Sequence, residues 1–497
     1  MIIIITMAKE PFYDRHSELQ FFREKYLNLS KGEFIVFYGR RRLGKTSIIK
    51  RFLDEVKGKK VYSFVNDLED KELMNSFAQD ITTMTGDPLK IDSWKVLFEY
   101  LYEEAKKEKF VFIIDEFQKL KKLAPGFISE LQNYWDSKLK NTKLLLVIVG
   151  SSIGMMQKIA LSASGALYGR KTGQLQLGPF RYVDFREMFA SKSEEDKILW
   201  YAIFGGTPYY LETVYRIGDV HEAILKSILE KTSPLHEETK NLLEFELRTI
   251  SRYNAILQAI ARGKQTSKEI ADALQVKSGL LSPYFEKLMS LLHLIEKKEP
   301  VLGKEKHTRY VLSDNFFRFW YRFIFPNQTP LELGNVKLVS TKIKDELNAY
   351  VGHIFENIVR EAFILYNTKK IKDISLNFKR IGSWWDRAGH EIDLVIENEK
   401  ELILGEIKWT KEPMTAAVLD ELIKKTQFLN YGGRIKYVLI SKNGFAESCE
   451  KMAAKMNTTL LNLKDLEQLF QLATNNHVER QKMLLGLVNS RISLQRL

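Results

Sequence analysis

A single cysteine, Cys449, in 497 residues excludes an intramolecular disulfide and suits a reducing compartment, the cytoplasm. Long apolar runs are missing too. No stretch approaches the roughly 20 residues that a membrane-spanning helix needs, which argues against a membrane partner, and the opening MIIIIT is too short, and lacks the basic start, for a signal peptide. It is expected to be an edge strand. No internal repeat and no low-complexity segment interrupts the chain. Acidic residues are in the minority: 76 Lys and Arg against 63 Asp and Glu leave a formal net charge of +13, which invites a polyanionic partner, although a basic balance alone also describes solvated lysine faces. The length leaves room for three or four domains with real cores, at about 100–200 residues each.

What is present begins at Gly39. Residues Gly39, Arg40, Arg41, Arg42, Leu43, Gly44, Lys45 and Thr46 read GRRRLGKT, a complete GxxxxGK[ST] phosphate loop, with Ser47 opening the segment behind it. Its glycines let the backbone curl so that N–H groups face phosphates, Lys45 is expected to reach the terminal phosphates, and the Thr46 hydroxyl to meet a metal at a helix N-terminus. The context agrees. GEFIVFY before the loop reads as a buried strand and SIIKRFLDEV after it has helical periodicity. Further on, FVFIIDE displays Asp115, expected to hold Mg²⁺ through water, and Glu116, expected to polarise the attacking water. ATP with Mg²⁺ is the implied ligand. A third apolar run, LLLVIVGSS, ends in Ser151 and Ser152, where a polar side chain is placed to sense the terminal phosphate; Ser at a strand end is also common without a function.

A second acidic pattern lies near the C-terminus. EIDLVIENEKELILGEIKW reads as a hairpin, with Asp393 on its first strand and Glu406 and Lys408 on its second, D-x12-E-x-K. Residues 406 and 408 share a strand face, because side chains alternate with period two. Two carboxylates on adjacent strands can hold Mg²⁺ or Mn²⁺, and a neighbouring lysine can orient or deprotonate a water for attack on a phosphodiester. Glu356, in VGHIFENIVREAFILY, is expected to complete the ligand set, and Gln427 and Tyr431 in QFLNY stand at i and i+4, on one face of a helix. Such pairs on amphipathic strands are often solvent-facing, but unpaired carboxylates in apolar runs are costly to desolvate and want a cation.

Residues 251–310 hold eleven Lys and Arg against six Asp and Glu, and they carry a helix-turn-helix pattern. YNAILQAIARG, then QTSKEIADALQV with Ser267 as N-cap, then SGLLSPYFEKLMSLLHLIEKK read as three helices, and VLGKEKHTRYVLSD as a two-stranded wing. A winged helix of this kind places its third helix in the DNA major groove and its wing on backbone. Lys264, Lys268, Lys277, Lys304, Lys306 and Arg309 are the phosphate-contact candidates. The alternative is a module that only packs against the nucleotide domain. FFRFWYRFIFPNQTPLEL is an aromatic connector whose rings read as packing rather than base stacking. The expected division is a nucleotide domain at 10–180, a helical lid at 181–250, a winged helix at 251–320, an α/β tail domain at 340–445 and helices at 446–497.

Taken together, FYDRHSEL, GRRRLGKT, IIDEFQ, VGSSIGMM, LYGRKTGQLQLGPF and FGGTPYYL resemble the archaeal-type ATPases, a prokaryotic branch of the AAA+ and STAND-like P-loop proteins. The tail is similar to the domain of unknown function often fused to them, itself similar to the PD-(D/E)XK nuclease fold. The resemblance implies an α/β chain: a P-loop AAA+-like ATPase with helical lid, winged helix and a C-terminal α/β restriction-endonuclease-like domain. It implies that Phe12 and Arg15 line the adenine pocket and that Gly206 and Pro208 belong to a lid motif. It further implies that Arg170 acts on the γ-phosphate of its own or a neighbouring subunit, the role of an arginine finger, in a homo-oligomer if the latter. In the tail, Glu356, Asp393, Glu406, Lys408, Gln427 and Tyr431 fall on nuclease motif positions, the last two on the Q-x3-Y helix of RecB-like enzymes. One departure is the proline expected before the first motif aspartate, where Glu391 and Ile392 stand. Two functional classes remain: an ATP-dependent DNA-binding nuclease, and a STAND-like signalling or scaffold ATPase whose tail is a fold relic. The DNA recognised, the oligomeric state and the pathway are not written in the sequence.

Overall fold

The apolar runs flanking the phosphate loop become the middle of one parallel sheet. In the computed structural model, which describes residues 13, 15–247, 249–302 and 307–474, β1 (Glu33–Tyr38), β2 (Lys59–Phe64), β3 (Phe110–Asp115), β4 (Leu144–Gly150) and β5 (Gly173–Gln176) lie in the order β2-β3-β4-β1-β5, all parallel. Every residue of β3 and β4 is buried. That is why these strands read as continuous apolar runs: helices cover both faces of a parallel sheet, so no face alternates to polar. Helices His16–Leu27 and Lys45–Glu55 cover one face, where Phe22 meets Phe37 and Phe52 with ring centroids 5.3 and 5.4 Å apart. The order sets the site. β1 and β3 flank β4, so the loop after β1, the carboxylates ending β3 and the serines after β4 come to one edge.

The chain forms two compact units. Of the described residues, the first holds those up to 179 with 207–209 and 242–247; the second holds 180–206, 210–241 and those between 249 and 474. In the second unit the aromatic connector is core, as its sequence suggests: Phe316, Phe317, Phe319, Trp320, Tyr321 and Phe323 are all buried. Helices Ser251–Ala261, Ser267–Ala273 and Ser282–Glu286 are followed by the antiparallel pair β6 (Ile295–Lys298) and β7 (Arg309–Leu312). Two expectations shift here. The N-cap is Thr266 rather than Ser267, because Thr266 and Glu269 close a reciprocal capping box. The wing's first strand is IEKK, ahead of Pro300; Val301 and Leu302 lie in a turn, Leu302 with φ 62°.

A short ladder, β8 (Lys370–Ile371) with β9 (Ile374–Ser375), follows the 30-residue helix Val336–Leu365. A mixed sheet comes next: β10 (Phe378–Trp385), β11 (Glu391–Asn398), β12 (Leu402–Lys408), β13 (Ile435–Ser441) and β14 (Thr459–Asn462), in that order. β10, β11 and β12 pair antiparallel, and β12, β13 and β14 parallel. The segment after 445, expected to be helical, therefore also supplies a strand.

Lid, wing and tail segments are not separate bodies, since side chains join them throughout the second unit. The Glu361 carboxylate accepts from the N–H groups of Tyr182 and Val183 at 3.1 and 2.8 Å, and Trp385 Nε1 donates to the His307 carbonyl at 2.7 Å. The N-terminal edge-strand expectation, Phe12, Lys304, Lys306 and the segment from 475 onward lie outside the described residues. Among those described, no helix is long and apolar enough to cross a membrane.

Candidate nucleotide site and a second acidic site

Gly44 sits at φ 86°, a left-handed conformation that glycine adopts without a Cβ penalty, and it turns the loop into helix Lys45–Glu55. Thr46, in that helix's first turn, donates through Oγ1 to Asp115 Oδ2 at 2.9 Å. The loop threonine and the strand aspartate, 69 residues apart, are thus side by side. Tyr62, from β2, donates to the same Oδ2 at 2.8 Å, and the Glu116 N–H to Oδ1 at 2.8 Å. Lys45 is turned onto the loop itself, its ammonium donating to the carbonyls of Gly39 and Arg40 at 2.8 and 2.7 Å, and not outward as the motif suggests. Burial pulls its pKa down to about 8, against the pull of Asp115 and Glu116.

Glu116 has φ 55°, and each of its oxygens takes its own donor. Ser151 Oγ donates to Oε1 and Gln118 Nε2 to Oε2, both at 2.7 Å, and Gln118 also reaches Ser151 at 3.2 Å. The serine after β4 is therefore bound to the carboxylate that the sequence assigns to water activation. Ser152 donates to Glu246 at 3.0 Å. Glu246 is half-buried, and desolvation lifts its carboxyl to about 7 although Ser152, Arg41 and Lys45 favour its charge. The Arg41 guanidinium lies 3.4 Å from the Phe245 ring centroid and that of Arg42 3.9 Å from the Tyr209 ring. Tyr62, Gln118 and Glu246 escaped the sequence reading. Gln118 stands two places beyond Glu116 in IIDEFQ, a signal within reach; Glu246 ends an ordinary amphipathic helix with nothing local to mark it.

The remaining candidates of this region divide. Arg15, with φ 73°, donates to the Gly178 carbonyl at 2.7 Å, lies 3.5 Å from the Leu43 carbonyl of the loop, and pairs with Glu18 at 3.2 Å. Arg170 is committed elsewhere: its guanidinium grips Asp136 through Nε and Nη2, the latter at 2.6 Å, so it is not aimed at a phosphate in this arrangement. Gly206 is required by close approach, since a Cβ there would fall 1.9 Å from the Phe180 carbonyl oxygen. Pro208 opens the helix Pro208–Val214.

In the second unit, hairpin β11–β12 brings Asp393, Glu406 and Lys408 into one hydrogen-bonded group. Lys408 Nζ reaches Asp393 Oδ2 at 3.1 Å and Glu406 Oε2 at 2.8 Å, and the Ile407 N–H donates to Asp393 at 3.0 Å. A second lysine, Lys425 from helix Ala416–Lys425, takes Glu406 Oε1 at 2.6 Å. Burial disfavours charge on Asp393, but Lys408 and the donated hydrogen bonds outweigh it and hold its pKa low. Burial, then the Asp393 charge, push Glu406 up. Lys408 is raised in turn, its two carboxylates overcoming the cost of burial.

Three sequence expectations fail here. Glu356 does not join the pair; it lies 3.5 Å from Arg360 and 3.4 Å from His353, and no group of three His, Cys, Asp or Glu among the described residues is arranged to hold a metal. Gln427 and Tyr431 do not share a helix face. The helix ends at Lys425, Gln427 sits in a 3₁₀ turn, and Tyr431 follows Asn430 at φ 49° in a loop that Gly432 and Gly433 continue. Arg309 is not free for DNA, because Nη1 contacts both oxygens of Glu391 at 3.0 and 2.9 Å and the guanidinium stacks 4.4 Å from the Trp385 ring. Lys264, Lys268 and Lys277 are exposed.

Residues 12–214 match an ATPase domain predominantly from Archaea, and residues 320–420 a family of archaeal and bacterial proteins of unknown function. The chain thus carries an archaeal-type ATPase domain. Uncharacterized protein MJECL04 of Methanocaldococcus jannaschii is 34% identical over 435 residues, spanning 86% of this chain and 95% of that protein. The chain belongs to the same family as MJECL04. Uncharacterized ATP-binding protein MJ0423 of the same organism is 45% identical over 53 residues, 11% of this chain and 88% of that protein. Among solved structures, a Walker-type ATPase of Pyrococcus abyssi is 20% identical, with 63% of this chain and 97% of that one covered, at a TM-score of 0.49.

Proposed function

We propose that this protein binds ATP with Mg²⁺ in the cytoplasm, hydrolyses it, and couples the cycle to DNA held on the winged-helix segment and cut at the Asp393 site with Mg²⁺ or Mn²⁺. The observation that carries the ATPase part is the Thr46–Asp115 contact at 2.9 Å, which sets two hard oxygen donors of the kind Mg²⁺ takes beside the Lys45 loop. Mg²⁺ held there would neutralise developing phosphate charge. Glu116, released from Ser151 and Gln118, is the group placed to take a proton from water. Arg15 beside the loop supports a role at the adenine end, and Gly206 and Pro208 a role in closure.

The DNA part rests on exposed Lys264, Lys268 and Lys277, and the cleavage part on the shared contacts of Asp393, Glu406 and Lys408. A second reading has its own observation. Lys408 and Lys425 already compensate the two carboxylates, and Glu356 stands apart, which favours a signalling or scaffold ATPase with an inactive tail. One experiment separates them: plasmid and single-stranded DNA incubated with the purified protein and Mg²⁺ or Mn²⁺, with and without ATP. Metal-dependent degradation is expected. ATP turnover with intact DNA under every condition gives the second reading.

A further inference from the structure

Helix Val336–Leu365, the winged-helix segment and strands β10 and β11, all in the second unit, line a cavity of about 490 Å³ rich in basic side chains. Arg262, Lys298, Arg309, Arg318, Arg322 and Arg360 contribute to it, against the carboxylates of Glu346, Glu356 and Glu391. The acids do not cancel the cations evenly. Glu391 is taken by Arg309 and Glu346 by Arg322, at 2.9 and 2.7 Å. Glu356 lies at 3.5 Å from Arg360, whose stronger bonds go to the neutral Asn357 side chain and the Asp393 carbonyl, each at 2.8 Å. Lys298 has Glu296 at 3.1 Å and Asn357 at 3.2 Å. Arg318 donates through Nη2 to the Leu312 carbonyl, and among the described residues it has no ion pair and its buried Nε has no hydrogen-bond partner. Arg262 has no acidic partner among the described residues.

Burial, with repulsion from Arg360 and Arg318, presses the Lys298 ammonium toward its neutral form, and burial does the same to Arg318. Cations gathered in this way are costly unless an anion joins them. The space is of the size that takes small organic ligands, about 300–1,000 Å³, and far exceeds a lone phosphate. Guanidinium forks match phosphoryl oxygens in geometry as well as charge.

We propose that this cavity binds a phosphoryl group carried on a nucleotide-sized body, with Lys298, Arg318 and Arg262 as its anchors. The same chemistry is presented by a free nucleotide and by the 5′-phosphorylated end of a strand. The assignment needs neither nucleotide in the phosphate loop nor cleavage at Asp393, and its test avoids both.

Full-length protein carrying Lys45→Ala is titrated without divalent metal, using a dye-labelled single-stranded oligonucleotide with a 5′-phosphate, the same strand with a 5′-hydroxyl, and a deoxynucleoside 5′-monophosphate as competitor. The 5′-phosphate is expected to tighten binding at least about tenfold, and Arg262→Ala with Lys298→Met to erase that preference. Arg318→Lys, which keeps the charge, should retain most of it. An unchanged thermal midpoint, and unchanged ATP turnover in the otherwise wild-type chain, verify that the variants fold. If the monophosphate displaces the strand at concentrations near its own dissociation constant, the ligand is a free nucleotide; a strand held tenfold more tightly identifies a strand end. Equal affinity for phosphate and hydroxyl ends together with no monophosphate competition overturns the proposal. A preference that survives the double substitution also overturns it.

Discussion

The protein holds two pairs of carboxylates at strand ends, and they are served by opposite kinds of partner. In the first unit, Asp115 and Glu116 take hydrogen bonds from neutral donors: Thr46, Tyr62, Ser151, Gln118 and a backbone N–H. In the second, Asp393 and Glu406 are bound by Lys408 and Lys425. Neutral donors orient a carboxylate without cancelling its charge, so the first pair keeps its demand for a cation. Ammonium groups orient and cancel together, so a metal at the second pair has to displace a lysine. The same residue types at the ends of buried strands therefore make a pair served by neutral donors in one place and a nearly self-neutral cluster in the other.

The sharpest way to break this comparison is Glu116→Gln. Loss of the general base should lower ATP turnover by roughly 10²–10⁴-fold while binding persists, whereas Lys45→Ala should lose binding itself; steady-state turnover and calorimetry distinguish the two. Wild-type nucleotide affinity in Lys45→Ala would remove the loop from the site.

Next in size, Asp393→Ala and Lys408→Ala should each abolish metal-dependent DNA cleavage and leave ATP hydrolysis within about twofold, because the sites share no partner. Cleavage that persists in both variants would reduce the lysine-bound cluster to a structural ion pair.

Lys425→Met sharpens the contrast from the other side. Lys408 still holds Glu406, but removing the second lysine strips one buried carboxylate oxygen of its donor and should destabilise the second unit by about 1–3 kcal/mol. Mn²⁺ should then raise the unfolding midpoint of the variant more than that of the wild type, since the metal no longer competes with that ammonium for Glu406. Equal metal shifts in the two proteins would show that Lys425 does not stand in for a metal.

The smallest effect concerns Glu246. Its folded pKa of about 7 lies above the unfolded value, so the folded form retains a proton that the unfolded chain releases. Stability from this group therefore falls as pH rises from about 4.5 to 7, by roughly 3 kcal/mol. Glu246→Gln should flatten the decline of the thermal midpoint between pH 5 and 8. An unchanged slope would mean that Glu246 is not held neutral.

The phosphate loop, its flanking strand and helix, and the IIDE strand were legible because each is a contiguous pattern whose physics is local: glycine conformations, unbroken apolar runs, a helix start. Hairpin β11–β12 was legible for the same reason. The Q-x3-Y face was not, because helical spacing assumes a helix that Asn430 and the following glycines do not continue. Arg309 looked like a DNA contact only while Glu391, 82 residues away, was out of view. Glu246 and Lys425 had no local signal, since each matters through a partner 94 or 19 residues distant.

By itself, then, the sequence determined the order of strands and loops and the carboxylates they carry, because burial period and backbone freedom are properties of neighbouring residues. Only the tertiary structure decided which carboxylates remain open to a cation and which are already closed by lysine. That choice depends on charges brought together across the fold, whose energies vary with distance and burial rather than with position in the chain.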